Sequence, residues 1–443
     1  MSDPIREALD AASRAGASAC DVCLTDQDRL QVEVRGGEVD RLARARDRIL
    51  GLRLFRGTRV AAVSTSDLSA GGIDSLVSRA RELADAAEAD PCAGLPDEGT
   101  DDDPALAVFC ARTAELSPEE AIERARSADR VACDHDPRIR PIGSAGMRVQ
   151  SREVRLARSD GFNRSHRSTS ATIFCAPLAV DDAEKQRDAV YQVAPSVEAL
   201  RSPEEIGREA AQRVVQRLGA RKIATCRVPV LYEPRTAITL LGHLSEALVG
   251  TTIDQDRSFL AKRIGETVAV SAFELVDDGR RPGLGRSRPF DGEGVTTRRT
   301  ALIEKGRLRS YLLDTYTARR LDLHTTGNAE RPLRGGPEPG HSNLFAEPGA
   351  EDAASILART DRGLLVTDLL GFGFNPVTGD YSRGVAGLWI EEGEIRYPVQ
   401  EVTVAGNLLE MLQQIDALGN DLQFFGSLGS PTLRFRELTV AGV

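Results

Sequence analysis

Residues 234–250 read PRTAITLLGHLSEALVG, a helical stretch set inside a half of the chain that is otherwise patterned for strands. Pro234 stands where a helix can spare an N–H, and Gly250 stops the run. Ile238, Leu241, Leu244 and Leu248 make a broad apolar face. Thr239, Gly242, His243 and Glu246 recur at helical offsets and share a polar stripe. Imidazole and carboxylate are both metal-ligand types, but a metal site takes at least three protein ligands. The other His in this region are His324 and His341, both in turn-rich sequence, and no Cys follows Cys226. The residues alone therefore favour His243 and Glu246 as hydrogen-bonded side chains over a metal site.

Around that helix, from Arg227 onward, short apolar runs alternate with Gly-centred turns, which predicts a largely β domain over 223–443. LIEKGRL at 302–308 and WIEEGEI at 389–395 each put Gly where a tight hairpin needs positive φ. Upstream, an amphipathic helix over 5–15, strands at 20–24, 30–34 and 49–55 and a helix over 73–89 predict an αβ unit over 1–90. Residues 91–108 hold Pro91, Gly94, Pro96 and Gly99 and the acids Asp101, Asp102 and Asp103, the composition of a linker. A second αβ unit follows over 109–222. Ser117, Pro118 and Glu120 open one of its helices with a capping box, and Ser202, Pro203 and Glu205 open another that Gly219 ends. Strands are expected between these helices at 139–149, 153–159 and 168–178. The fold class is α+β, with two αβ units followed by a β-rich domain.

Composition excludes several functions. Lys and Arg number 57 against 67 Asp and Glu, a net charge of −10, whereas binding to a phosphate backbone needs a basic stripe. No nucleic acid partner is expected, and the Arg-rich stretch 41–59 reads as a solvated face. No apolar run reaches the roughly 20 residues of a membrane span, and Asp3, Glu7 and Asp10 interrupt anything resembling a signal peptide. Seven Cys without a secretion signal predict reduced thiols in a cytoplasmic protein. Cys20 and Cys23 fall on a strand, where residues three apart face opposite ways, so their spacing is not a ligand pair. Trp389 is expected in the core. GFGFNPVTGDYSRG at 371–384 lacks the Lys and the following helix of a phosphate loop. It reads as a turn region near a groove or contact, with Asn375, Thr378, Asp380 and Ser382 as groove or interface candidates beside His243 of the helix. Ser382, Asp380 and His341 lack the elbow of a serine hydrolase. The loop RPLRGGPEPGHSN at 331–343 could border a groove.

RPFDGEGVTTRRTALIEKGRLRSYLLDTYTARRLDLHTTGNA at 288–329, GFNPVTGDYSRGVAGLWIEEGEIRYPVQEVTVAGNLLEML at 373–412 and SPTLRFRELTVAG at 430–442 resemble the TldD/PmbA metalloprotease family. CDVCLTDQDRLQVEVRGGEVDRL at 20–42 and GLRLFRGTRVAAVSTSDLS at 51–69 resemble its first domain. TldD-like subunits of that family carry an HExxxH helix, and TldE/PmbA-like subunits do not. Laid against HExxxH, Leu241 and Glu246 stand at the two His and Gly242 at the catalytic Glu. The family's C-terminal Cys ligand also has no counterpart here. The resemblance thus implies the TldE/PmbA-like branch, with no catalytic, cofactor or metal residue in this chain. It implies zinc or a similar divalent metal in a TldD-like partner, and an extended peptide as substrate. The alternatives are a stand-alone homodimeric metallopeptidase built on His243 and Glu246, and a non-enzymatic binding protein, since the family also carries a label as modulators of DNA gyrase.

Overall fold

The computed structural model describes residues 3–97, 99 and 104–442; Asp101, Asp102 and Asp103 lie outside the described residues. The first half is built on β1 (Ala19–Arg35), β2 (Glu38–Arg56), β3 (Arg59–Thr65), β4 (Ile139–Arg158), β5 (Asn163–Asp181), β6 (Glu184–Arg187) and β7 (Val190–Ala194). These strands form one sheet in the order β3-β2-β1-β4-β5-β6, with β7 also on β5, so the two αβ units share a sheet through the β1–β4 pairing. The expected strands at 20–24 and 30–34 are one continuous β1. Its polar middle stays in the ladder because Asp26 and Asp28 meet Arg46 and Arg44 across the strands. Likewise 139–149 and 153–159 fuse into β4. Gly36 and Gly37, with φ of 55° and 80°, make the two-residue turn whose twist suits a hairpin.

The period of two decides what each face of this sheet meets. On β1 the even positions Cys20, Val22, Leu24, Leu30, Val32 and Val34 are buried under helices. Two helices, α1 (Pro4–Arg14) and α2 (Ala70–Ala86), cover one end; α3 (Pro118–His135) and α4 (Pro203–Gln216) cover the other. Ser202 and Glu205 form the full reciprocal capping box of α4. At α3 only half of the expected box is made: Ser117 accepts from Glu120 N, while the Glu120 carboxylate is drawn away by Arg112 and Arg124. The odd positions Asp21, Cys23 and Arg53 lie on the opposite face, toward the C-terminal domain.

That domain contains β8 (Cys226–Tyr232), β9 (Leu275–Asp278), β10 (Arg299–Glu304), β11 (Arg307–Leu308), β12 (Ala329–Glu330), β13 (Glu338–Pro339) and β14 (Leu344–Ala346). It continues with β15 (Arg362–Leu370), β16 (Asp380–Glu391), β17 (Glu394–Asn407), β18 (Ile415–Leu418), β19 (Gln423–Phe425), β20 (Leu428–Ser430) and β21 (Leu433–Ala441). One sheet runs β17-β16-β15-β8-β21-β18, and β17 also pairs β21, so five of its strands close into a ring with few free edges. A second runs β11-β10-β9-β14-β20-β19. The helix read from 234–250 is α5 (Pro234–Leu248), and its Leu240, Leu241, Leu244 and Leu248 are buried in the core between these sheets. Trp389 is buried as expected, its indole N–H donating to Glu391 at 2.9 Å. In both expected hairpins the turn residues, Lys305-Gly306 and Glu392-Gly393, have positive φ.

A buried ionic chain ties the sheet to this domain. Arg53 on β2 donates to Asp21 at 2.6 Å and to Glu293 at 2.7 Å, and Arg331 lies 2.5 Å from the other Asp21 oxygen. Glu293 also accepts from the backbone N–H of Thr315 at 2.8 Å. Burial alone would raise the Asp21 carboxyl; Arg331 and Arg53 overcome it and hold it below its ordinary value.

Candidate functional site

The polar stripe of α5 is the part of the helix left outside the core. Leu241 is fully buried, Gly242 and His243 are half-buried, and Glu246 is exposed. No hydrogen bond joins His243 to Glu246 among the described residues. The His243 ring instead stacks on Phe374, centroids 4.5 Å apart, and meets the edge of Tyr381 at 6.0 Å. Its Nε2 is shielded from solvent with no hydrogen-bond partner. Burial, followed by the nearby Arg383 charge, lowers its pKa to about 4, so it is neutral at physiological pH.

The 371–384 loop that carries Phe374 is braced by its own polar residues. Asn375 Oδ1 accepts from Val377 N at 2.9 Å, Thr378 donates to Asp380 at 2.7 Å, and Asn407 Nδ2 donates to Thr378 O at 2.8 Å. Three of the four candidates, Asn375, Thr378 and Asp380, are thus engaged in turn geometry. Ser382 is exposed, with its N–H donating to Gly373 O at 2.7 Å. Gly379 takes φ of 80°, as a tight turn requires, whereas Gly384 lies in β16 with no positive φ. Holding the loop this way leaves Leu370, Phe372 and Val377 exposed, Phe372 completely so.

Beside the loop, a cleft of about 570 Å³ runs along the first half of α5, lined by Thr236, Thr239, Leu369, Leu370 and Arg383. It continues past Tyr191 and Arg235 into a second cavity of about 330 Å³ that reaches Phe424 and Phe425. At the other end of the helix, Ser245 hydrogen-bonds His341 Nδ1 at 2.9 Å, and His341 Nε2 meets Ser427 at 3.0 Å. His341 therefore pins α5 to the turn between β19 and β20, and does not approach Ser382 or Asp380 as a triad would. Sequence reading missed Phe374, Tyr381 and Arg383 as the neighbours of His243. Their place follows from the 371–384 loop and the first residues of β16 meeting the polar stripe of α5, for which no local pattern exists.

A metal fits this helix poorly. Leu241 has no lone pair and is in the core, Gly242 has no side chain to accept a proton from water, and His243 is pressed against an aromatic ring. Among the described residues no three His, Cys, Asp or Glu converge as metal ligands do.

Fold and site together define a mixed α+β protein whose β-rich domain is built around α5, a helix without a metal-ligand set among the described residues. The chain matches PmbA/TldA metallopeptidase domain 1 over residues 20–84, the central domain over 112–218 and the C-terminal domain over 225–442. It is 32% identical to the Metalloprotease PmbA of Escherichia coli O157:H7, over 100% of this chain and 96% of that one. A Bacteroides thetaiotaomicron protein, solved as a candidate modulator of DNA gyrase, superposes with a TM-score of 0.92 at 26% identity, covering 99% of this chain and 98% of that one. TldE from Thermococcus kodakarensis shares the fold with a TM-score of 0.90 at 21% identity, covering 99% of this chain and 100% of that one. The chain belongs to the PmbA/TldD family.

Proposed function

We propose that this protein is the metal-free, TldE/PmbA-like subunit of a heteromeric metallopeptidase that acts on unfolded or small peptides. The observation that carries the reading is the chemistry of α5, where the positions aligned with HExxxH hold Leu241, Gly242 and Glu246. Hydrolysis of a peptide at neutral pH needs an activated water and stabilisation of the developing oxyanion, and a zinc centre supplies both. An HExxxH partner subunit would provide that centre, while this chain would help to enclose and orient the peptide. The cleft along α5 has room for an extended chain, and the exposed Leu370, Phe372 and Val377 beside it form an apolar patch suited to a partner.

The test is metal analysis and peptide cleavage with the purified chain, an HExxxH relative, and their mixture. The chain alone is expected to hold no stoichiometric zinc and to cleave nothing, and the mixture to cleave unstructured peptides. His243→Ala together with Glu246→Ala should leave the mixture's rate within a few-fold. One tightly held zinc per chain, lost in His243→Ala, would overturn the proposal in favour of a stand-alone enzyme.

A further inference from the structure

Far from α5, the face of the first sheet that carries no helices encloses a cavity of about 150 Å³ against the 285–292 segment of the C-terminal domain. The period of two builds its floor: Arg152, Val154 and Leu156 project from one side of β4, and His166 and Ser168 pair with Val154 and Arg152 across the β4–β5 ladder. Arg288 and Phe290 form the opposite wall.

The charges around this cavity do not balance. Arg331 is occupied by Asp21 and Arg286 by Glu330. Arg288 donates to the Ala329 carbonyl at 2.9 Å, and Arg152 makes no hydrogen bond; neither has a carboxylate within ion-pair distance among the described residues. Asp291 lines the same wall, but its oxygens accept the backbone N–H groups of Glu293, Val295 and Ala329. Arg152 Nε, Arg288 Nε and His166 Nδ1 are all shielded from solvent without a hydrogen-bond partner. Burial lowers the Arg152 pKa from its ordinary value; Cys23 and Glu330 oppose the shift, and Arg288 and Arg286 add to it. Burial, then Arg288 and Arg152, take His166 down to about 3, leaving a neutral imidazole that can still donate one N–H. Two half-buried guanidiniums with no carboxylate in ion-pair contact leave the wall of the cavity positive, a charge that an anion between them would offset.

We infer that this cavity is a carboxylate-binding site in which Arg152 and Arg288 hold the anion and His166 adds a neutral donor. A planar carboxylate matches the guanidinium fork, and a monoanion suits a wall that already carries Asp291 and Glu330. The cavity shares Arg152, Glu330 and Arg331 with an adjoining space of about 320 Å³ that reaches Gln27, Leu333 and Pro339. A carboxylate at the end of an extended chain can therefore sit in the narrow part while the chain leads outward along the 331–343 loop. Its presentation by a peptide C-terminus rests on the function proposed above; the carboxylate site itself does not.

Calorimetric titration of the full chain with N-acetyl-dialanine, its C-terminal amide and inorganic phosphate tests the assignment. The free acid should bind and the amide should not. Arg152→Gln and Arg288→Gln should each weaken the acid by about tenfold to a hundredfold. Without ligand, Arg152→Gln should keep or raise the thermal midpoint, because its charge has no carboxylate partner to lose. Equal binding of acid and amide, binding of phosphate alone, or no binding at all would overturn the site. A midpoint lowered by several degrees in Arg152→Gln would do the same, marking that residue as structural. None of these results bears on the metal-free subunit reading, which stands on α5 and its own cleavage assay.

Discussion

The sheet–domain junction around Arg53 and the outer side of α5 bury charged or polar side chains in opposite ways. Between the sheet and the C-terminal domain, Arg53, Asp21, Glu293 and Arg331 are each paired within the chain. Along α5, His243 Nε2 and Arg383 Nε are buried without partners, next to an exposed apolar loop tip. A region complete in itself holds domains in register. Along α5 the polar atoms and the apolar surface remain unmatched among the described residues.

The largest effect is expected where the pairing is complete. Glu293→Ala leaves the Arg53 guanidinium buried with one partner gone, and should destabilise by about 3–5 kcal/mol in denaturant titration. A loss under about 1 kcal/mol would mean that water enters the junction readily and that the contrast with α5 is false.

A smaller effect belongs to His341, which joins α5 to the β19–β20 turn. Burial, with Arg286 and Arg288 nearby, lowers its pKa to about 4 from the 6.5 of an unfolded His. The folded state thus prefers the neutral ring, so the contribution is intact above pH 6.5 and is lost as pH falls toward 4. Between those values the wild type should lose about 2 kcal/mol relative to His341→Gln, measured as parallel stability curves against pH. Identical pH dependence in the two proteins would show that His341 is solvated and does not pin the helix.

The smallest effect on stability should come from the unmatched surface. Phe372→Ser removes an apolar group that is fully exposed and Leu370→Ser one that is half exposed, so unfolding free energies should move by less than about 0.5 kcal/mol for the first and by no more than about 1 kcal/mol for the second. Co-purification with an HExxxH relative should fall clearly in the double variant. Retained association with unchanged stability would place the partner's contact elsewhere.

Much of this was legible in the sequence because it depends on local chemistry. The helical period and Pro–Gly boundaries of α5, the Ser202 and Glu205 cap, the paired glycines of the hairpins and the turn residues of 371–384 need only neighbours in the chain. That Leu241 and Gly242 carry no metal-ligating side chain needs no fold to read. The half-made cap at Ser117 was not, because Arg112 and Arg124 compete for Glu120 from outside the motif.

The sequence by itself determined the alternation that puts Cys20 and Cys23 on opposite faces of β1, and Arg152 on one face with Val154 and Leu156. Only the tertiary structure decided that the helices cover the even face of β1 and that the C-terminal domain closes over the other. The physical reason is that a strand's pleat is fixed by backbone geometry within a few residues. What each face meets depends instead on pairings such as Arg53 with Glu293, 240 residues apart in the chain, which no local pattern encodes.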